Sequence, residues 1–250
     1  MSNETIAFLG ATGGCTLAAL VRTLNAGIDA RALVRTPSKL VDLLRKRGVS
    51  QAIIDAHLTV LEGNAKDVEA VKQLFAGPQV SLVVFGVGGA PKFNPSITSP
   101  FTLDDPAVCA DSTRALLAAL ASPPKPLSRQ PDLAFISTTG LNSAVRDVPW
   151  GFQTFYRYTL HIPHVDKKEM ERLVEDSGRQ NYVLLHPSLL MDSPTKGKKT
   201  RVGWEGEGGK LEVGYTIGRD AVGEWIFQAL IEGSEEARKE WFGRKVTLTW

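Results

Sequence analysis

The sequence predicts an α/β fold: one doubly wound domain built on a parallel sheet, with long loops along one rim. Three observations carry this. Short, uninterrupted apolar runs of strand length alternate with amphipathic stretches of helical period from the first residues to the last. The first such run, Thr5–Leu9, enters a glycine turn, Gly10-Ala-Thr12-Gly13-Gly14, and a helical pattern follows at once. No shift in composition and no repeat at solenoid periods divides the 250 residues.

Thr5–Leu9 reads as a buried parallel strand because it is a short, largely apolar run bounded by a glycine turn. From Thr16 to Ala26 the positions Leu17, Leu20, Val21 and Leu24 form one helix face, and Gly27 stops it. Ala30–Val34 is a second strand. Thr36-Pro37-Ser38 opens a helix through Lys46, with proline at a tolerated early position. Leu58–Glu62 is a third strand, followed by a helix that Asp67 caps and that runs to Phe75. Val80–Gly86, the most apolar strand, ends in Gly86-Val87-Gly88-Gly89. Helix 107–121, strand Leu133–Ser137, helix 164–177, strand Tyr182–Leu185, helix 219–231 and strand Val246–Thr249 complete the alternation.

Three irregular stretches, 90–106, 138–163 and 187–211, follow the fourth, fifth and sixth strands. Ligands of such sheets bind outside the carboxyl ends of the strands. The domain therefore spans 1–250, with its substrate-side elements in those three loops, opposite the glycine turn.

Apolar residues make up 43% and charged residues 22%, the balance of a globular chain with a substantial core. A formal charge of +2 gives no reason to expect nucleic acid or an anionic membrane surface. No apolar run approaches the roughly 20 residues that span a bilayer. Two cysteines, Cys15 and Cys109, make no disulfide framework, and with strand pattern beginning at Thr5 the expectation is a cytoplasmic protein. Oligomeric state is open.

Gly10, Gly13 and Gly14 permit a tight turn and let a diphosphate approach backbone amides at a helix N-terminus. Cys15-Thr16 excludes a Walker loop, which needs lysine and then Ser/Thr. Thr16 stands where a third glycine is usual, between helix and strand. Arg35 replaces the acid that reads an NAD ribose, and a guanidinium suits a 2′-phosphate, so the expected cofactor is NADP(H). Lys39 would assist, Asn64 would meet adenine, and Gly86, Val87 and Gly88 would lie along the cofactor. Cys15 sits at a helix N-terminus, where a thiolate is stabilised; the plainer alternative is a small residue that packs there.

Gly-Ala-Thr-Gly-Gly at 10–14, Ala-Leu-Val-Arg-Thr-Pro-Ser-Lys-Leu at 32–40 and Leu-Glu-Gly-Asn-Ala-Lys-Asp at 61–67 resemble the atypical short-chain dehydrogenase/reductases. The likeness is greatest to the NmrA-like and flavin/biliverdin-reductase-like group of fungal biosynthetic pathways. It continues through 171–178, Val-Leu-Leu-His-Pro at 183–187 and Thr-Ile-Gly-Arg-Asp-Ala-Val at 216–222. The resemblance implies a Rossmann-like NAD(P)-binding reductase core whose motif residues fall on Gly10, Thr12, Gly13, Gly14, Arg35, Gly86, Ser137, Lys167 and Pro187. It also implies a Tyr-x-x-x-Lys pair working with a serine after the fifth strand.

Ser137 is that serine. Lys167 shares a helix face with Met170 and Val174, whereas Lys168 groups with Arg172 and Glu175, so Lys167 is the cofactor lysine. Four residues before it stands Pro163 in place of tyrosine, and proline has no proton to give. His164, one turn before Lys167, is the nearest substitute acid, with Tyr156, Tyr158 and His161 in reach from the preceding loop. His161-x-x-His164 has metal-ligand spacing but no accompanying carboxylate or cysteine cluster, so no metal is expected. Phe93, Trp150, Phe152, Tyr158 and Trp204 are candidates to line an apolar substrate pocket; the alternative is that they anchor loops.

The leading expectation is an NADPH-dependent oxidoreductase passing hydride to a small conjugated or aromatic, natural-product-like substrate. Pro163 keeps a non-redox isomerase, cyclase or dehydratase open as an alternative. An NmrA-like dinucleotide sensor with a protein partner is the third.

Overall fold

The computed structural model describes residues 5–89, 91–93, 101–141, 147–149, 161–192, 197–206 and 208–250; for 91–93, 101–103 and 161–163 it describes the backbone alone. Its centre is β1 (Thr5–Leu9), whose five residues are all buried. Alternate side chains serve the two faces. Ile6 and Phe8 join one core cluster, Ala7 and Leu9 the other.

Around β1 lies an eight-stranded sheet. On one side come β2 (Ala30–Val34) and β3 (Leu58–Glu62). On the other come β4 (Val80–Phe85), then β7 (Asp132–Ile136), β8 (Tyr182–Pro187), β12 (Arg244–Thr249) and, at the edge, β10 (Arg201–Trp204). The chain crosses over between β1 and β4, which opens a crevice at their carboxyl ends. Leu9 faces Phe85 there, and Gly86 N donates to Leu9 O at 2.9 Å, so Gly10 and Gly86 emerge side by side.

The sheet is mixed, not purely parallel: β10 runs antiparallel to β12. Two further small sheets correct the expectation of irregular loops. β5 (Pro91–Phe93) pairs antiparallel with β6 (Phe101–Leu103), and β9 (Leu189–Met191) pairs parallel with β11 (Thr216–Gly218). Each is three residues long, too short to leave a period in the sequence.

The helices are α1 (Gly14–Asn25), α2 (Pro37–Lys46), α3 (Gln51–His57), α4 (Val68–Lys72, with a 3₁₀ turn to Phe75), α5 (Val108–Ala121), α6 (His161–Asp176), α7 (Arg219–Ile226, with a π turn to Ile231) and α8 (Glu235–Lys239). Asp67 Oδ1 caps α4 through Glu69 N at 2.9 Å, as its position requires. α6 starts three residues earlier than the sequence pattern suggests. Pro163 falls in its first turn, where a missing N–H is harmless. Among the described residues no helix is long and apolar enough to cross a membrane.

α7 packs on α1 with backbones nearly touching. A Cβ at Gly223 would stand 2.6 Å from Cys15 O and 2.7 Å from Ala19 N, so only glycine fits. Arg22 Nη2 locks the pair through Asp220 Oδ2 at 2.8 Å. The first residue of α7, Arg219, is thereby laid over the glycine turn.

Candidate cofactor and active site

The glycine turn is built for close backbone approach. Gly10 has φ +78°, and a Cβ there would lie 2.5 Å from Gly86 O. Gly13 N donates to Gly10 O at 2.8 Å and Gly13 caps α1 with no side-chain bond and no acid in the first turn. The orphan amides of α1 are left for an anion. A Cβ on Gly86 would collide with Thr16 Oγ1, which is itself buried without a partner among the described residues. Thr16 and Gly86 have thus exchanged the usual roles: the bulk is on the helix and the glycine on the strand.

This turn forms one wall of a cleft of about 340 Å³. Gly10, Thr12 and Gly13 line it beside Gly86, Val87 and Gly88. Arg35, Thr36 and Lys39 line it as well, as do Asn64 and Lys66. Lys66 Nζ pairs with Asp105 Oδ2 at 2.8 Å and Asp111 Oδ2 at 3.1 Å, and Lys66, with Arg35 nearby, holds the Asp105 carboxyl below its ordinary pKa. Ser112, fully buried, lines the cleft with an Oγ that has no partner among the described residues.

Val87, in the cleft wall, is in turn bonded by Lys167. Its Nζ donates to Ile136 O at 2.7 Å and to Val87 O at 3.2 Å, whereas Lys168 is exposed, so the helical period chose the inward lysine correctly. α6 is fixed there by its neighbour Asp166. Both carboxylate oxygens accept from the first amides of α5, Cys109 N and Ala110 N, at 2.9 Å.

A dinucleotide fits this arrangement on three counts: the glycine cradle admits backbone contact, the α1 amides are open to a diphosphate, and Ser112 Oγ is an orphaned polar atom in the cleft wall. The family described as NAD(P)H-binding matches residues 10–232. The chain belongs to that family. Its cofactor is NAD(P)(H). Over its whole length this NAD(P)H-binding protein is similar to Reductase pytE of Aspergillus terreus, at 40% identity across 99% of that protein. It is also similar to Oxidase pynE of Aspergillus niger, at 35% identity, again across all of this chain and 99% of the relative. Among solved structures it shares a fold with ChuY, an anaerobillin reductase from Escherichia coli O157:H7 (TM-score 0.62, 16% identity, 92% of each chain). The oxidoreductase ylbE from Lactococcus lactis has the same fold (TM-score 0.66, 14% identity, 98% of this chain and 90% of that one).

Several residues sit elsewhere than the sequence suggests. Cys15 turns into the core rather than the cleft, and burial pushes its thiol up to about 12, the opposite of a stabilised thiolate. Gly14 lies under the side chain of Arg219, whose Nη1 bonds Asp192 Oδ1 at 2.9 Å. Pro187 ends β8, two strands beyond β4, with its carbonyl accepting from Thr139 N at 3.2 Å; it is not part of the cleft wall. Trp204, a candidate for the substrate pocket, stands on the edge strand β10. It pairs with Val246 near the amino end of β12, away from the carboxyl rim, and stacks edge-on with Trp241 at 6.1 Å. His164 is buried on α6 one turn before Lys167. Tyr156, Tyr158, Trp150 and Phe152 lie outside the described residues, as does the side chain of Phe93.

Ser137 is where it was expected, but its partner was missed. Its Oγ donates to Glu171 Oε1 in a short hydrogen bond. His186 Nε2 lies 2.9 Å from the same oxygen, and Lys245 Nζ lies 3.3 Å from Oε2 and 2.8 Å from Glu175. Burial alone would raise the Glu171 carboxyl, but the contacts to His186, Ser137 and Lys245 overcome it and bring it down to about 2. Behind them Asp147 is buried and accepts from Gly140 N at 2.9 Å; burial raises its carboxyl, while nearby His186 pulls it down. One signal for Glu171 was available: it lies four residues after Lys167, hence on the same helix face. His186 and Lys245 join from distant strands and leave no local signal.

Proposed function

We propose that the protein is an NADPH-dependent reductase of the atypical short-chain dehydrogenase/reductase kind, acting on a small conjugated or aromatic substrate. The observation that carries this reading is the continuity of the cleft. It runs from Arg35, Thr36 and Lys39, past the glycine turn, to Val87, whose carbonyl holds Lys167. Arg35 and Lys39 would take a 2′-phosphate, the α1 amides the diphosphate, and Ser112 and Asn64 the adenosine. When bound there, the reduced nicotinamide supplies a hydride.

The chain's own residues narrow the acceptor. Pro163 offers no proton where the superfamily pattern places tyrosine, and Ser137 Oγ donates its hydrogen bond to Glu171. Neither group is arranged to protonate a simple ketone. A conjugated acceptor, which takes hydride at carbon and spreads the resulting charge, asks least of such a site. The names of two full-length relatives, a reductase 40% identical and an oxidase 35% identical, support redox chemistry.

The test is direct. The protein is mixed with NADPH or NADH and a series of quinones, flavins and enones, and loss of the reduced-nicotinamide absorbance is followed. Oxidation of NADPH by at least one conjugated acceptor, faster than that of NADH, is the expected result. No oxidation with any of them, or turnover of a substrate without nicotinamide, overturns the reading.

A further inference from the structure

The cofactor cleft carries charges of both signs. Among the described residues it is lined by three cations, Arg35, Lys39 and Lys66, and by two carboxylates, Asp104 and Asp105. Arg35 and Lys39 are exposed and suit a 2′-phosphate. Lys66 is already engaged. Its ammonium lies 2.8 Å from Asp105 Oδ2 and 3.1 Å from Asp111 Oδ2, so two of its three donors are taken. The two carboxylates are not equivalent. Asp111 stands outside the cleft lining and has a second cation, Arg114 Nη1, at 3.0 Å. Asp105 belongs to the lining, and its Oδ1 accepts from Ala107 N at 3.2 Å, just before α5. Lys66, that amide and the field of Arg35 hold the Asp105 carboxyl below its ordinary pKa, so it is charged at neutral pH. A negative charge within the field of Arg35 has the wrong sign for a phosphate. It occupies Lys66 and repels the ligand as well. Three cations against two carboxylates leave the lining one net positive charge, and neutralising Asp105 would double it.

From this geometry we infer that Asp105 is a specificity-determining residue: its carboxylate withholds Lys66 and opposes a 2′-phosphate, a brake on NADP(H) affinity that NAD(H) does not feel. The inference rests on the NADPH reading above and concerns how strongly that preference is set. Lys66 is then a latent third cation of the phosphate site, beside Arg35 and Lys39.

NADP⁺ and NAD⁺ differ only in the 2′-phosphate, and with no substrate present neither turns over. Their dissociation constants are measured by calorimetry on the full chain, and the ratio between them is the readout. Asp105→Asn keeps the shape and an oxygen for Ala107 N, and removes the charge. It should raise the preference for NADP⁺ about fivefold, the scale of one solvent-exposed charge pair, with the NAD⁺ affinity little changed. Asp105→Glu keeps the charge and should keep the wild-type ratio. Adding Lys66→Gln to Asp105→Asn removes the released cation and should bring the ratio back to that of the wild type. The gain should also shrink between ~0.05 and ~0.5 M salt, because exposed charges are screened, whereas a change of shape would be indifferent to salt. A ratio unchanged in Asp105→Asn, a gain shared by Asp105→Glu, or a gain that survives the loss of Lys66 overturns the assignment. So does a proportionate loss of both nucleotides in Asp105→Asn, which would mark the side chain as a cap for the chain entering α5 and nothing more. Arg35→Ala is measured beside these variants. If it leaves the wild-type ratio untouched, the NADPH reading falls. If it lowers the ratio while Asp105→Asn does nothing, that reading stands and the role of Asp105 falls alone.

Discussion

Arg35 ends β2 exposed to solvent, and its guanidinium and the Lys39 ammonium are the exposed cations of that end of the cleft wall. Apart from its field on Asp105, the guanidinium has no described part in the fold, so its loss should be felt chiefly by a ligand that carries a matching charge. Arg35→Ala is expected to raise KM for NADPH by ~10- to 100-fold, the equivalent of one charge-assisted hydrogen bond, with KM for NADH little changed. Steady-state kinetics with both nucleotides checks this, and an equal loss with both would remove Arg35 from the phosphate site. The sequence was legible at this position because the cue is local: β2 is a short, fully buried run, and the residue that leaves it stands at the cleft. Lys66 was not legible. Its importance comes from Asp105 and Asp111, which the chain reaches only after the β5–β6 hairpin.

At the scale of elements, the site depends on how closely β4 and α1 approach. Gly86 and Thr16 are the contact, and each answers the other. Gly86→Ala puts a methyl group on Thr16 Oγ1 and should cost about 1–3 kcal/mol as overpacking, together with much of the cofactor affinity, because β4 must move off the Gly10 turn. Thr16→Ala removes a buried hydroxyl that has no partner among the described residues, so alone it should be mild. Combined with Gly86→Ala it should restore most of the stability. A double-mutant cycle by urea unfolding measures the coupling, and simple additivity of the two changes would refute the contact. The strands β1, β2 and β3 were readable residue for residue, since β1 and β2 are short, fully buried runs between turns and β3, at the sheet edge, is a short run that ends at a glycine. β9, β10 and β11 were hidden in a stretch rich in glycine and lysine. Arg201-Val-Gly-Trp204 is a partly exposed edge strand, and its pairing with β12 is supplied by tertiary structure rather than by pattern.

For the whole molecule, Glu171 has a second consequence. It joins α6 to β7 through Ser137, to β8 through His186 and to β12 through Lys245, so one carboxylate ties together the half of the sheet beyond β4. Its pKa falls from the ordinary 4.5 to about 2 in the folded state. A carboxyl depressed by folding stabilises the protein above its unfolded pKa and loses that contribution as pH falls through the folded one. The depression corresponds to about 3 kcal/mol at neutral pH, and the side chain is buried enough that solvent screening discounts it little. About two-thirds of that should be gone at pH 3 and nearly all below pH 2. Other groups titrate in the same range. Asp132 and Asp147, for example, are raised by burial and act in the opposite sense, gaining stability as they protonate. The decisive quantity is therefore a difference. Wild-type protein and Glu171→Gln are unfolded in urea from pH 7 down to pH 2.5. The stability advantage of the wild type should be constant above pH 5 and shrink by about 2 kcal/mol by pH 3, because only the wild type has this carboxylate to protonate. If the two curves stay parallel through that window, Glu171 is not held ionised by its neighbours.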